Sequence, residues 1–122
     1  SEFLKIPTIS TWARNDVFPN DNLLFLGAAG VGAAKVTLEY LASADLILAV
    51  GCRFSEFTTM HYRLLRSCPS LIHIDIDSEG LSRVFSPTIG VISDAKLALE
   101  DLLNISKKRS GSTQVTHSPI QA

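Results

Sequence analysis

Two hydrophobic runs in the middle of the chain predict parallel β-strands. Five consecutive apolar residues, Leu46–Val50, end on Gly51. A run without polar alternation is typical of a central strand that is covered on both faces. In 71–77, three isoleucines alternate with His73, Asp75 and Asp77, which is the period of a strand. Both runs end in residues that suit a ligand site, because open α/β sheets bind ligands at the carboxyl ends of their strands.

The remaining pattern alternates helices with shorter strands. Strands are predicted at 6–11, 23–26 and 89–92, and the aspartate- and asparagine-rich stretch 15–22 between the first two is predicted to be a loop. Three helices are predicted, each from apolar residues at helical spacing. The inward stripe of the first helix consists of Ala33, Val36, Thr37, Tyr40 and Ala44. The second helix is capped by Ser55, and its apolar face consists of Phe57, Met60, His61, Leu64 and Leu65. The third helix runs from Ala95 to about Leu103 and is capped by Asp94, with Leu99, Leu102 and Leu103 facing inward.

This order of elements predicts an α/β fold, a three-layer sandwich around a mainly parallel sheet. At 122 residues the chain suffices for one domain, which we place at 1–104. The polar stretch 105–122 reads as a linker or disordered tail, because it has few large apolar groups to offset its ordering entropy.

Composition excludes some functions. The net charge of −1 gives no reason to expect nucleic acid or an anionic membrane as a partner. No apolar run approaches the roughly 20 residues of a membrane span, and the N-terminus does not resemble a signal peptide, so a cytoplasmic location is expected. Cys52 and Cys68 form no CxxC pair and are predicted to be reduced, partly buried thiols.

The glycine-rich stretch 27–32 has two interpretations. Glycines at a helix start can cradle phosphate, but Ala33 and Ala34 stand where a P-loop needs Lys and Ser or Thr, and the glycine order reverses the dinucleotide motif. The alternative is a tight loop that lets the helix pack closely. The sequence leaves both open.

Three polar residues, Asp75, Asp94 and Arg53, each have a ligand role and a structural role open to them. Asp75 suits hydrogen bonds from ribose or ribityl hydroxyls, but Asp75 or Asp77 could instead cap the next turn. Asp94 could likewise cap a helix or face the cleft. Arg53 could neutralise a diphosphate or stack on a ring, or it could form a surface ion pair with Glu56. His61 and His73 are interpreted as structural, and no nucleophile arrangement accompanies them.

Five ordered motifs resemble the central domain of thiamine diphosphate-dependent enzymes, most closely the acetolactate synthase branch. They are Phe18–Asp21, Leu26–Gly27 with the glycine-rich helix, Ala44–Phe54, Ile72–Asp77 and Ser93–Leu99. The resemblance implies a Rossmann-like middle domain that lacks the first strand and helix usual in the family. It also implies N- and C-terminal domains of the same parent chain, which would bind thiamine diphosphate and Mg²⁺, and a homodimeric or homotetrameric parent.

The same resemblance implies a site in this domain that holds FAD or ADP or stays empty, as it does in different relatives, with no catalytic residue in it. Matched to the family's motifs, the binding residues are Gly51, Arg53, Asp75, Ile76, Asp94 and Ala95. Ser55 and Phe57 depart from the Asp and Arg that flavin-binding relatives commonly have. The expected function is a scaffold and nucleotide site within a carboligase or decarboxylase acting on a 2-oxo acid. The alternatives are a stand-alone FAD, NAD or ADP module of sirtuin or electron-transfer-flavoprotein type, and a purely structural domain.

Overall fold

The computed structural model describes residues 1–67 and 70–111, and its strands and helices follow the predicted order. A single 3-10 turn, Glu2–Leu4, opens the chain. The elements that follow are β1 Thr8–Ser10, β2 Phe25–Ala28, α1 Lys35–Ser43, β3 Leu46–Val50, α2 Glu56–Thr59, β4 Ser70–Asp75, β5 Ile89–Ile92 and α3 Ala95–Ser110. The stretch between β1 and β2 is a loop, as predicted.

All strand pairs are parallel, which confirms the predicted α/β, Rossmann-like fold class. β1 pairs with β2, and a three-stranded sheet has the order β3-β4-β5. The prediction that Leu46–Val50 is central was wrong, because β3 pairs only with β4 within the described residues and β4 is the middle strand.

Ile74 of β4 is buried on one face of this sheet, and a core cluster lies on the opposite face. Ala49 of β3 and Leu71 of β4 pack there with Cys52 and Phe54, which follow β3. The other face of β3 is open, and Leu46 and Leu48 are 50% and 41% exposed. The prediction that both faces of β3 are covered was therefore wrong, because α1 and α3 make their main sheet contacts with β2 and β4.

The second helix is much shorter than predicted. Ser55 caps it, as expected, by accepting a hydrogen bond from the Thr58 amide. Yet α2 has only four residues, and the next three residues, 60–62, all have positive φ. The Thr59 hydroxyl donates to the Ser55 carbonyl, which also accepts from the Thr59 amide. The same hydroxyl accepts from the Tyr62 amide, so it joins the end of α2 to the turn that follows. Thr58 and Thr59 are buried here, whereas Phe57 is exposed.

The other two helices differ from prediction in what they bury. In α1 the predicted stripe includes Val36, which is 62% exposed, while Thr37 is buried and donates to the Leu26 carbonyl. α3 continues past Leu103 to Ser110, and Lys107, Lys108 and Arg109 in its last turn favour the helix dipole. Its predicted inward leucines (Leu99, Leu102 and Leu103) are 40–45% exposed, because α3 contacts mainly β4. Residues 112–122 of the predicted tail lie outside the described residues.

Candidate functional site

The register of the three-stranded sheet brings most of the predicted site residues to one edge. The Gly51 amide donates to the Ile74 carbonyl at 2.8 Å, and the Ser93 amide donates to the Asp75 carbonyl at 3.0 Å. β3, β4 and β5 therefore end level with one another. Their carboxyl ends carry the predicted residues, which we call the strand-end cluster: Gly51, Arg53, Asp75, Ile76, Asp94 and Ala95.

The loop after β3 is held by a buried aromatic ring. Gly51 has φ +60°, and Phe54 is also left-handed, with φ 50°. A bulky residue keeps this conformation only when its surroundings enforce it. The Phe54 ring is buried, and it meets the His73 and Phe85 rings edge-on at centroid distances of 5.0 and 5.3 Å. This packing fixes the loop from which the exposed Arg53 extends.

Arg53 does not form the surface ion pair that was its structural alternative. The Glu56 carboxylate lies 2.5 Å from His61 Nδ1 instead. Arg53 makes no ion pair or side-chain hydrogen bond with any residue in 1–67 or 70–111. His61 is itself exposed rather than on an apolar helix face. The Arg53 guanidinium is therefore free, among these residues, to meet an anion.

Asp75 caps the following turn, as the structural alternative predicted, but it uses only one carboxylate oxygen to do so. Its Oδ1 accepts from the Asp77 amide at 2.9 Å, and Asp77 Oδ1 accepts in turn from the Glu79 amide at 3.0 Å. Asp75 Oδ2 lies 3.8 Å from His73 Nε2. The Asp75 side chain is 12% exposed, so the carboxylate reaches the edge without being fully solvated. Ile76, the next residue, is largely exposed there.

Asp94 caps α3, as the sequence predicts. Its Oδ1 accepts from the Leu97 amide at 3.1 Å, and Ala95 is the first helical residue. The second Asp94 oxygen makes no hydrogen bond to the described residues. Asp94 thus lies at the same end of the sheet as Asp75, and only one of its two carboxylate oxygens is used in capping α3.

A second feature, a cavity beside the glycine-rich loop, was missed by sequence reasoning. It has a volume of about 570 Å³. Its lining combines residues 27–29 and 31–34 with Trp12, Asn15, Asn20 and Thr37. Trp12 stacks on Phe57 with ring centroids 5.3 Å apart. The sequence feature that could have indicated this cavity is Trp12, a large aromatic residue in the 11–22 loop. No periodic pattern, however, predicts that a single loop residue of this kind lines a cavity.

The glycine-rich loop packs closely against α2 at Gly30 and borders the cavity at its other glycines. The Val31 amide donates to the Phe57 carbonyl at 3.0 Å, and a Cβ on Gly30 would lie 2.4 Å from that carbonyl oxygen. Close packing therefore requires glycine at this position. Gly27 and Gly32, in contrast, line the cavity.

The remaining reactive groups are a cysteine thiol and the side chains that could ligate a metal. Cys52 is buried, and this burial raises the pKa of its thiol, with a smaller contribution from the Asp75 charge. Cys68 lies outside the described residues. Within residues 1–67 and 70–111, no three His, Cys, Asp or Glu side chains are grouped so that they could hold a metal ion.

The family model for the central domain of thiamine pyrophosphate enzymes matches residues 1–102. The chain belongs to this family. It is 36% identical over 103 residues to a probable acetolactate synthase large subunit of Methanocaldococcus jannaschii, covering 84% of this chain and 17% of that protein. It is 33% identical to a sulfoacetaldehyde acetyltransferase of Castellaniella defragrans, covering 84% and 18%.

A plant relative is similar to the chain over a comparable range. The chain is 31% identical over 117 residues to chloroplastic acetolactate synthase 2 of Nicotiana tabacum, covering 96% of this chain and 18% of that protein. The chain thus spans less than a fifth of the length of these relatives. The resemblance found from the five sequence motifs is confirmed. No helix in the described part of the chain is long and apolar enough to cross a membrane.

Proposed function

We propose that this chain is the central domain of a thiamine diphosphate-dependent carboligase or decarboxylase that acts on a 2-oxo acid in the cytoplasm. The family match and the relatives named acetolactate synthase and sulfoacetaldehyde acetyltransferase support this class. In the proposed parent, a homodimer or homotetramer, N- and C-terminal domains bind thiamine diphosphate and Mg²⁺. This chain contributes no catalytic residue.

The domain's own proposed ligand is a nucleotide, FAD or ADP, at the strand-end cluster. The observation that carries this proposal is the level ending of β3, β4 and β5 beside Arg53, whose side chain has no partner within residues 1–67 and 70–111. The Arg53 guanidinium suits a diphosphate, because it offers several donors and a permanent positive charge. Asp75 Oδ2, which the turn leaves unused, suits a ribose or ribityl hydroxyl. The nucleotide would serve as structural support rather than in the reaction.

Thermal melting of the purified protein with FAD, ADP or NAD tests this proposal. A ligand at 100 times its dissociation constant stabilises the fold by about 2.7 kcal/mol, so a binder raises Tm visibly. We expect FAD or ADP to do so. Arg53→Ala should weaken binding about tenfold or more, since hydrogen bonds to charged groups contribute about 1.5–3 kcal/mol.

Arg83→Ala is the matched control, because Arg83 is also an exposed arginine and, in the described part of the chain, its side chain pairs only with Glu79, at 4.0 Å. It should leave affinity unchanged. A shift with NAD alone would support the stand-alone NAD-type module instead. If none of the three ligands raises Tm, the nucleotide proposal is refuted and the purely structural reading of the domain is supported.

A further inference from the structure

One buried polar side chain, His73, packs beside the strand-end cluster and also forms a hydrogen bond not yet described. Its relative exposure is 1%, although it lies on the middle strand between Ile72 and Ile74. Its Nε2 lies 2.9 Å from the carbonyl oxygen of Cys52, and its ring meets the Phe54 ring edge-on. His73 therefore touches the loop that carries Arg53, from a strand that lies 21 residues further along the chain.

We propose that His73 is a positioning residue for the strand-end cluster: its Nε2–H holds the Cys52 carbonyl and thereby fixes Gly51 and Arg53 beside Asp75. This inference rests on the proposed nucleotide site for its functional consequence. The geometry itself is independent of any ligand.

The hydrogen-bond partners determine the form of the imidazole. A carbonyl oxygen only accepts, so Nε2 must carry the proton. Nδ1 is buried and has no partner among the described residues. The hydrogen bond to Cys52 therefore assigns the Nε2–H tautomer to His73.

The loop requires such a donor because of its conformation. Gly51 and Phe54 are both left-handed, so the backbone leaves the strand ladder directly after β3. Cys52 between them is buried, and its carbonyl has no main-chain donor in the described residues. An apolar side chain at position 73 would fill the space but would leave this carbonyl unpaired, and a buried unpaired carbonyl is costly. Asp75 Oδ2 lies 3.8 Å from the same Nε2, so one nitrogen faces the ends of both strands.

A matched pair of substitutions separates positioning from packing. His73→Gln keeps an amide N–H near the position of Nε2, whereas His73→Leu keeps bulk and removes the donor. With ADP or FAD followed by calorimetry, we expect His73→Leu to weaken binding about fivefold, equivalent to one hydrogen bond of about 1 kcal/mol, and His73→Gln to recover affinity to within about twofold. Equal affinity in the wild type and in a folded Leu variant would overturn the proposal.

Nuclear magnetic resonance gives a readout that does not depend on a ligand, and its first part needs only the wild-type protein. Long-range ¹H–¹⁵N spectra of the wild-type protein should show the Nε2–H tautomer, and an Nδ1–H tautomer would overturn the proposal. Amide shifts of 51–54 should change in His73→Leu and return toward wild type in His73→Gln. If the wild type binds no nucleotide, the proposed function fails, and these spectra still decide whether His73 positions the loop.

Discussion

The amide of Gly51 donates to the carbonyl of Ile74 at 2.8 Å, one residue beyond the last paired position of β3. This bond extends the parallel ladder into the turn, so the loop with Arg53 begins level with Asp75. Because Ser93 makes the equivalent bond on the other side of β4, three chain segments leave the sheet at one edge. The predictions below test the contacts that build this edge and the loops beside it.

Gly30→Ala should destabilise the fold strongly. The new methyl group would lie 2.4 Å from the Phe57 carbonyl oxygen, and the residue has φ +114°. Left-handed strain and overpacking together should cost at least about 2 kcal/mol in urea unfolding. Gly32→Ala is the control, because its φ is +83° but no atom lies within 4 Å of the new methyl group, and it should cost only about 1 kcal/mol. Equal losses would contradict the close packing of this loop on α2.

Asp94→Ala should lower the free energy of unfolding by about 1 kcal/mol, because the Leu97 amide loses its capping acceptor. Asp94→Asn keeps a capping oxygen and should stay within a few tenths of a kcal/mol of wild type. Urea denaturation followed by far-ultraviolet circular dichroism measures both. A loss of the same size in the Asn variant would show that charge, rather than the cap, stabilises this helix start.

Cys52 should make stability fall at alkaline pH. Burial raises the pKa of its thiol in the folded state, so the neutral thiol is favoured there. This contribution is complete below the unfolded-state pKa, about 8.5, and is lost as the pH rises through the folded-state pKa. The test compares two proteins that both carry Cys68→Ala, one with Cys52 and one with Cys52→Ala. The urea midpoint should fall further between pH 7 and pH 10 in the protein that keeps Cys52. Parallel changes in the two proteins would contradict this account.

Local sequence predicted those features that depend on local contacts. The alternation around His73 identified β4, the apolar run identified β3 to the residue, and the Asp94 cap was found from its position before a helical pattern. The family followed from five motifs in order, because several weak signals at fixed separations are together specific.

Features that depend on distant packing were not predictable in this way. The Thr59 hydroxyl bonds to the Ser55 carbonyl and the Tyr62 amide where α2 ends, at positions where apolar spacing alone favours a long helix. The exposed leucines of α3 are apolar residues at helical spacing, and their burial depends on which element packs against them. The Trp12 cavity wall and the His73–Cys52 bond join segments far apart in sequence, for which one sequence carries no periodic signal.

The central claim is that the level ends of β3, β4 and β5 form a nucleotide site, and amide shift mapping during titration with ADP tests it most directly. The account predicts that the largest changes fall on Gly51–Phe54, Ile76 and Ala95, while Leu46 and Ile89 at the opposite ends of their strands stay unchanged. Changes confined to residues away from the strand-end cluster, or no saturable change with either ADP or FAD, would contradict it.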